Sequence, residues 1–173
     1  MLEIGRNDKL LFIGDSITDC GRRNDPEGMG SGYVRMIRDW LLASQPADAP
    51  IVLNKGIGGH KVTDLEARWQ TDVLDEKPDI LSIKIGVNDV WHAYAATPSG
   101  VTPGRYASVF QSILKQVREN LPNCRIVLCE PSIIWPPAPE GANEAMKPYL
   151  QSVHVLAQEF NAVCVVPLHK AFT

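Results

Sequence analysis

Three short stretches of this chain carry groups able to do chemistry. In Lys9-Leu10-Leu11-Phe12-Ile13-Gly14-Asp15-Ser16-Ile17-Thr18, four apolar residues run into a glycine, an acid and a hydroxyl. A serine hydroxyl is a weak nucleophile until a base removes its proton. A second apolar run ends in Asn54-Lys55-Gly56-Ile57-Gly58-Gly59-His60, where glycines let backbone N–H groups come close to a bound group. A third ends in Gly86-Val87-Asn88-Asp89, whose Asn88 amide can point into the same space. A hydroxyl, backbone donors and a side-chain donor together suit attack on a carbonyl, with the oxyanion held by N–H groups. Each piece alone is ordinary turn chemistry. Their weight comes from all three occurring in order, each at the end of an apolar run.

Those runs must be strands for the groups to meet. Leu10–Ile13, Ile51–Leu53, Ile80–Ile85, Arg125–Cys129 and Val163–Val166 read as buried parallel strands. Between them the apolar residues take helical spacing: Val34, Ile37 and Leu41; Val62, Leu65, Trp69 and Val73; Tyr106, Val109, Phe110, Ile113 and Val117; Leu150, Val153, Ala157 and Phe160. Strands alternating with helices predict an α/β fold with a five-stranded parallel sheet and right-handed crossovers. In such sheets reactive groups lie just past the carboxyl ends of the strands, which is where Ser16, Gly59 and Asn88 fall. Leu121-Pro122-Asn123 stops the third helix, and Pro148 is placed to start the fourth.

Two connections are richer than packing needs: Gly21 to Gly32, and Pro131 to Pro148, which contains five prolines and Trp135. Both leave carboxyl ends of strands and should overhang the same edge. Lys84 is a local misfit in an apolar strand; it must reach the sheet edge or meet a carboxylate.

With 173 residues, 45% hydrophobic and 21% charged, the chain suits one globular domain spanning 1–173. A net charge of −3 gives no field for nucleic acid or an anionic membrane. The start lacks a secretion signal and no run is long enough for a membrane span, which suits a cytoplasmic enzyme. Cys20, Cys124, Cys129 and Cys164 lack C-x-x-C spacing and read as reduced, buried thiols. No metal or other cofactor is expected.

Gly14-Asp15-Ser16, Asn54-x-Gly56-x-x-Gly59 and Gly86-x-Asn88-Asp89 together resemble the first three sequence blocks of the SGNH (GDSL) hydrolases. The residues around these blocks are similar to the branch containing bacterial intracellular acetylxylan esterases. The resemblance implies a three-layer, flavodoxin-like α/β/α fold and a serine esterase. It makes Ser16 the nucleophile and assigns the oxyanion donors to the Ser16 N–H, the Gly59 N–H and the Asn88 amide. Asp15 and Asp89 would hold these loops in place. Trp91 and Trp135 are candidates to stack on a sugar ring. The implied substrate is a small ester, an acetylated sugar such as a xylo-oligosaccharide. The rivals are a lipase or thioesterase for longer acyl chains and a non-catalytic sugar-binding module.

The family's remaining block, Asp-x-x-His, follows the fifth strand and precedes a final helix. Here Asp89-Val90-Trp91-His92 is the literal match, but Asp89 already belongs to the third block. His60, next to Gly59, is a candidate to line the pocket, while His154 and His169 suit surface roles. The expectation is therefore that the catalytic Asp and His lie beyond Thr173, and that the final helix is missing. One sheet face would then be partly bare, inviting self-association or low stability. A serine that has lost its base keeps only positioning and oxyanion stabilisation, at a cost of about 10⁶ in rate in the protease subtilisin. A protein ending at Thr173 is predicted to be nearly inactive on aryl acetates and a longer natural chain active; equal rates for both lengths would refute this.

Overall fold

The computed structural model describes residues 3–94, 99–132 and 141–172. Its centre is a sheet of five parallel strands in the order β2-β1-β3-β4-β5, formed by β1 (Lys9–Gly14), β2 (Ile51–Gly56), β3 (Ile80–Lys84), β4 (Arg125–Cys129) and β5 (Cys164–Val166). The strand positions follow the apolar runs. β2 continues beyond its apolar residues because its pairing with β1 persists to Phe12↔Asn54, Ile13↔Lys55 and Gly14↔Gly56. Backbone pairing needs no apolar side chain, so hydropathy alone ends this strand early. Chain order reverses between β1 and β3, and at such a switch point the two strand ends diverge to leave a crevice.

The two faces of the sheet are covered unequally. On one, Leu11, Ile13, Leu81, Ile83, Ile126 and Leu128 pack under α3 (Val62–Ala67), α5 (Pro103–Asn120) and α6 (Ala142–Glu159). Thr102 caps α5 through the Arg105 N–H, and the expected stripe from Tyr106 to Val117 is buried. Trp69 and Val73 complete the α3 contribution from a π-helical turn at Gln70–Leu74. On the other face Leu10, Phe12, Ile80 and Val127 pack against Val34 and Leu41 of α2 (Tyr33–Ser44). The rest of that face borders an apolar cleft of about 630 Å³, walled by Ile37, Val166 and by Leu168 and Phe172 of α7 (Leu168–Phe172). The expected partly bare face is therefore present among the described residues.

The fourth long helix corrects one expectation. It begins at Ala142, behind Gly141 in the left-handed region, and Pro148 lies inside it. Proline removes one intrahelical donor, but Met146, Tyr149 and Val153 bury the helix along the core. Packing along the whole face outweighs one lost bond. The preceding loop is correspondingly shorter than Pro131 to Pro148, and Trp135 lies outside the described residues. Among those residues no helix is long and apolar enough to cross a membrane.

Two shorter helices, α1 (Ser16–Asp19) and α4 (Val87–Trp91), begin just past β1 and β3. α1 lies tightly across the ends of β1 and β2. A Cβ on Gly14 would stand 2.5 Å from Thr18 Oγ1 of α1 and 2.2 Å from the Lys84 carbonyl oxygen of neighbouring β3. One on Gly56 would stand 2.1 Å from the Asp19 nitrogen of α1. Neither site can relax by turning a side chain alone, because the closest opposing atom at each is backbone. Gly56→Ala is expected to lower stability by about 1–3 kcal/mol or more, read from the urea midpoint; an unchanged midpoint would show that α1 can lift off without cost.

Candidate active site

Ser16 opens α1 and is exposed, in a chain segment otherwise buried from Leu10 to Asp15. Asp15 caps this turn: its Oδ1 accepts the Ile17 N–H at 2.9 Å. Ser16 is thereby held where the backbone breaks from the strand, with its side chain outward. A Cβ on Gly58 would touch Ser16 Cβ at 3.8 Å, so the glycine loop after β2 lies against the serine. Gly59 follows in the left-handed region (φ 82°) and is exposed. Neither the Ser16 nor the Gly59 N–H donates to another group among the described residues. Asn88, in the first turn of α4, donates from Nδ2 to the His60 carbonyl at 2.9 Å, and a second hydrogen remains on that nitrogen. The structure thus brings the Ser16 turn and the Asn88 side chain to the same Gly58-Gly59-His60 loop.

Three residues that sequence reading did not assign hold this loop. Buried Asn54 donates to the carbonyls of Thr18 at 2.7 Å and Met29 at 2.8 Å, and accepts the Gly56 N–H at 2.9 Å. Asp19 accepts the Gly58 N–H at 3.1 Å, which turns that amide toward α1. Arg68, at the end of α3, reaches the carbonyls of Gly14 and Lys55 and the ring of His60. Asn54 stood inside a noticed motif. Arg68 gave no signal, because an arginine beside a helical stripe reads as a solvated position.

The buried charges sit under the same strand ends. Asp15 and Asp89 are fully buried, and each has one carboxylate oxygen without a hydrogen-bond partner among the described residues. Lys84 is 2% exposed, and its ammonium finds no hydrogen-bond partner there either. The carboxylate that answers it electrostatically is Asp15, the residue following Gly14, which pairs with Lys84 across β1 and β3. Burial pulls the ammonium below its ordinary range while Asp15 opposes the shift. Burial likewise raises the Asp15 carboxyl, and Lys84 opposes that. The misfit strand lysine is therefore a buried counter-charge to the capping aspartate.

Asp89 accepts the Val62 N–H at 3.1 Å, so the anion at the start of α3 is a carboxylate of the chain itself. Trp91, one turn beyond Asn88, is 41% exposed and free to meet a ligand. His154 and Glu130 form a pair at 2.8 Å, but beyond β4 and next to β5. They stand two strands away from β1.

Burial pushes Asp89 up to about 7 from 3.8, with the Val62 N–H working against it. The native carboxyl then keeps its proton where the unfolded one has lost it, so stability falls as pH rises through the window from about 4 to about 7, by at most about 1.4 kcal/mol per unit. Asp89→Asn keeps an oxygen for Val62 and removes the titration. Urea midpoints at about pH 4.5 and about pH 7 should converge in the variant; an unchanged pH slope would rule out Asp89 as its source.

Comparison with known proteins covers nearly the whole chain. The model of the GDSL-like lipase/acylhydrolase family matches residues 12–173. An acetylxylan esterase of Geobacillus stearothermophilus is 40% identical over 172 residues, spanning 95% of this chain and 78% of that one. The crystal structure of Axe2, an acetylxylan esterase of the same organism, superposes with a TM-score of 0.88 at 36% identity, covering 99% of this chain and 80% of that one. Catalytic mutants of Axe2, altered at a serine, an aspartate or a histidine, have the same fold, each with a TM-score of 0.88. A five-stranded parallel sheet of this order, shared motifs and a family-wide match agree: the chain belongs to the GDSL-like lipase/acylhydrolase family and is by class a carboxylic ester hydrolase.

Proposed function

We propose that the chain hydrolyses short-acyl esters of carbohydrates, acetyl esters of xylo-oligosaccharides foremost, through an acyl-serine intermediate. The observation that carries this reading is the exposed Ser16 hydroxyl lying against a glycine loop, with the Ser16 and Gly59 N–H groups uncommitted. In the first step Ser16 Oγ attacks the ester carbonyl as a base takes its proton. The oxyanion is received by the Ser16 and Gly59 N–H groups and the second Asn88 amide hydrogen. The alcohol leaves with a proton, and water hydrolyses the acyl-serine by the reverse proton transfers.

His60, His92 and His154 do not have the arrangement of a base for Ser16. His60 Nδ1 accepts a hydrogen bond from Arg68, and His154 is engaged by Glu130. His92 bonds no carboxylate side chain among the described residues. The Axe2 catalytic mutants, altered at a serine, an aspartate or a histidine, support a set of those three groups as the machinery for this step.

The acetylated-sugar substrate rests on the likeness to Geobacillus stearothermophilus acetylxylan esterase in sequence and in structure, and on exposed Trp91 beside Asn88. One observation favours a longer acyl chain instead: the apolar cleft reaches Ile17 and Cys20, just behind the nucleophile. A non-catalytic sugar-binding module has no use for uncommitted donors around a serine.

In a chain that carries the acid–base pair, fluorophosphonate labelling should fall on Ser16 and vanish in Ser16→Ala. Aryl-ester turnover by that chain should drop steeply from acetyl to octanoyl, and a flat or rising series would favour the long-acyl reading. Asn88→Ala should lower kcat about 10²–10³-fold at unchanged fold. Loss below twofold would remove Asn88 from the oxyanion site.

A further inference from the structure

Arg68 makes an unusual set of contacts for a residue at the end of a helix. Its side chain is 12% exposed, and Asp72 holds Nη1 at 2.6 Å. The same Nη1 donates to the Lys55 carbonyl at 2.8 Å, and Nη2 donates to the Gly14 carbonyl at 3.2 Å. Gly14 and Lys55 stand at the carboxyl ends of β1 and β2, so one planar guanidinium spans both strand ends. Its Nε donates to His60 Nδ1 at 3.3 Å. The His60 carbonyl receives Asn88, so the residue after Gly59 is held at both its backbone and its ring.

A guanidinium has donors only and keeps its charge at any pH a protein survives. A ring nitrogen that accepts from it cannot also carry a proton. The proton of a neutral His60 is then confined to Nε2, and the ring presents an N–H. Uptake of a second proton would break the Arg68 bond.

Resting on the ester-hydrolase reading of this site, we propose that Arg68 is its positioning residue: it locks the nucleophile strand end to the glycine loop and fixes His60 with its proton on Nε2, making His60 a hydrogen-bond donor beside the oxyanion loop and not a base. The charges around the ring agree. Its burial and the neighbouring Arg68 and Arg23 disfavour the imidazolium, against Asp64 and Asp72, which favour it. The outcome is a ring that takes a second proton less readily than a free histidine. A lysine in place of Arg68 keeps the charge but loses the planar fork that meets two carbonyls and a ring together.

The test uses the 173-residue protein with ¹⁵N-labelled histidine, and needs no turnover. Long-range ¹H–¹⁵N spectra of wild type should show His60 as the Nε2–H tautomer, titrating below the ordinary histidine value. Arg68→Met should mix the tautomers and raise the midpoint by about half to one pH unit. Arg68→Lys should mix the tautomers too, with a smaller rise, because the charge remains. An Nδ1–H ring or an imidazolium near pH 7 in wild type overturns the proposal by itself, even if neither variant folds. Tautomers unchanged in both variants overturn it as well. In a chain that turns over aryl acetates, Arg68→Lys should lower kcat more than tenfold with little change in KM. Absence of Ser16 labelling in a chain that carries the acid–base pair counts against the hydrolase reading alone, and the tautomer result stands apart from it.

Discussion

The close approach of one helical turn to two strand ends governs this site. α1 can lie over β1 and β2 only because Gly14 and Gly56 have no Cβ; an added carbon would sit 2.5 Å from Thr18 Oγ1 at Gly14 and 2.1 Å from the Asp19 nitrogen at Gly56. That contact puts Ser16 at the surface while Thr18 and Asp19, two and three residues on, are buried. It also lets Asp19 take the Gly58 N–H and Asn54 take the Thr18 carbonyl, so the hydroxyl and the glycine loop are fixed to one another. Remove the contact and the serine, the loop and Asn88 no longer share a common frame.

Under that frame lies a set of buried charges that costs stability. Asp15, Lys84 and Asp89 are each at most 2% exposed and incompletely hydrogen-bonded among the described residues. A buried ion pair seldom stabilises a fold more than an apolar pair of the same shape. Here the charges do local work: Asp15 caps the turn that carries Ser16, Lys84 answers its charge, and Asp89 anchors the start of α3 beneath the glycine loop. Unmet polar groups at the strand ends accord with a site where orientation matters more than stability.

The unequal sheet faces express the same economy of elements. Three helices bury one face in a continuous core from Leu11 to Ala157. The other has α2 and a smaller cluster, and its exposed neighbours include Met36 and Trp40 on α2. The loops at the strand ends are tied to β1, β2, β3 and α3, and to the second face through the Thr18–Tyr33 and Asn54–Met29 hydrogen bonds.

Much was legible in the amino-acid order. Apolar runs marked all five strands, and the glycines and the Asn88 amide marked the strand ends. The edge strands β2 and β5, expected to be buried, are only partly so, because each has a single neighbouring strand. Where chain pairing and hydropathy part company, as in the polar end of β2, the sequence understated the strand. Pro148 misled for a related reason: a local rule about helix starts yielded to burial along a whole helix. Lys84 announced itself as a misfit, but its partner could not be named, since Asp15 is its neighbour across the sheet and not along the chain. Arg68 was invisible for the same reason: its four acceptors come from β1, β2, the glycine loop and the turn after α3. Residue type and spacing determined which groups could react. Only the packing of distant segments decided which of them meet, because hydrogen bonds across a sheet join residues that no local pattern connects.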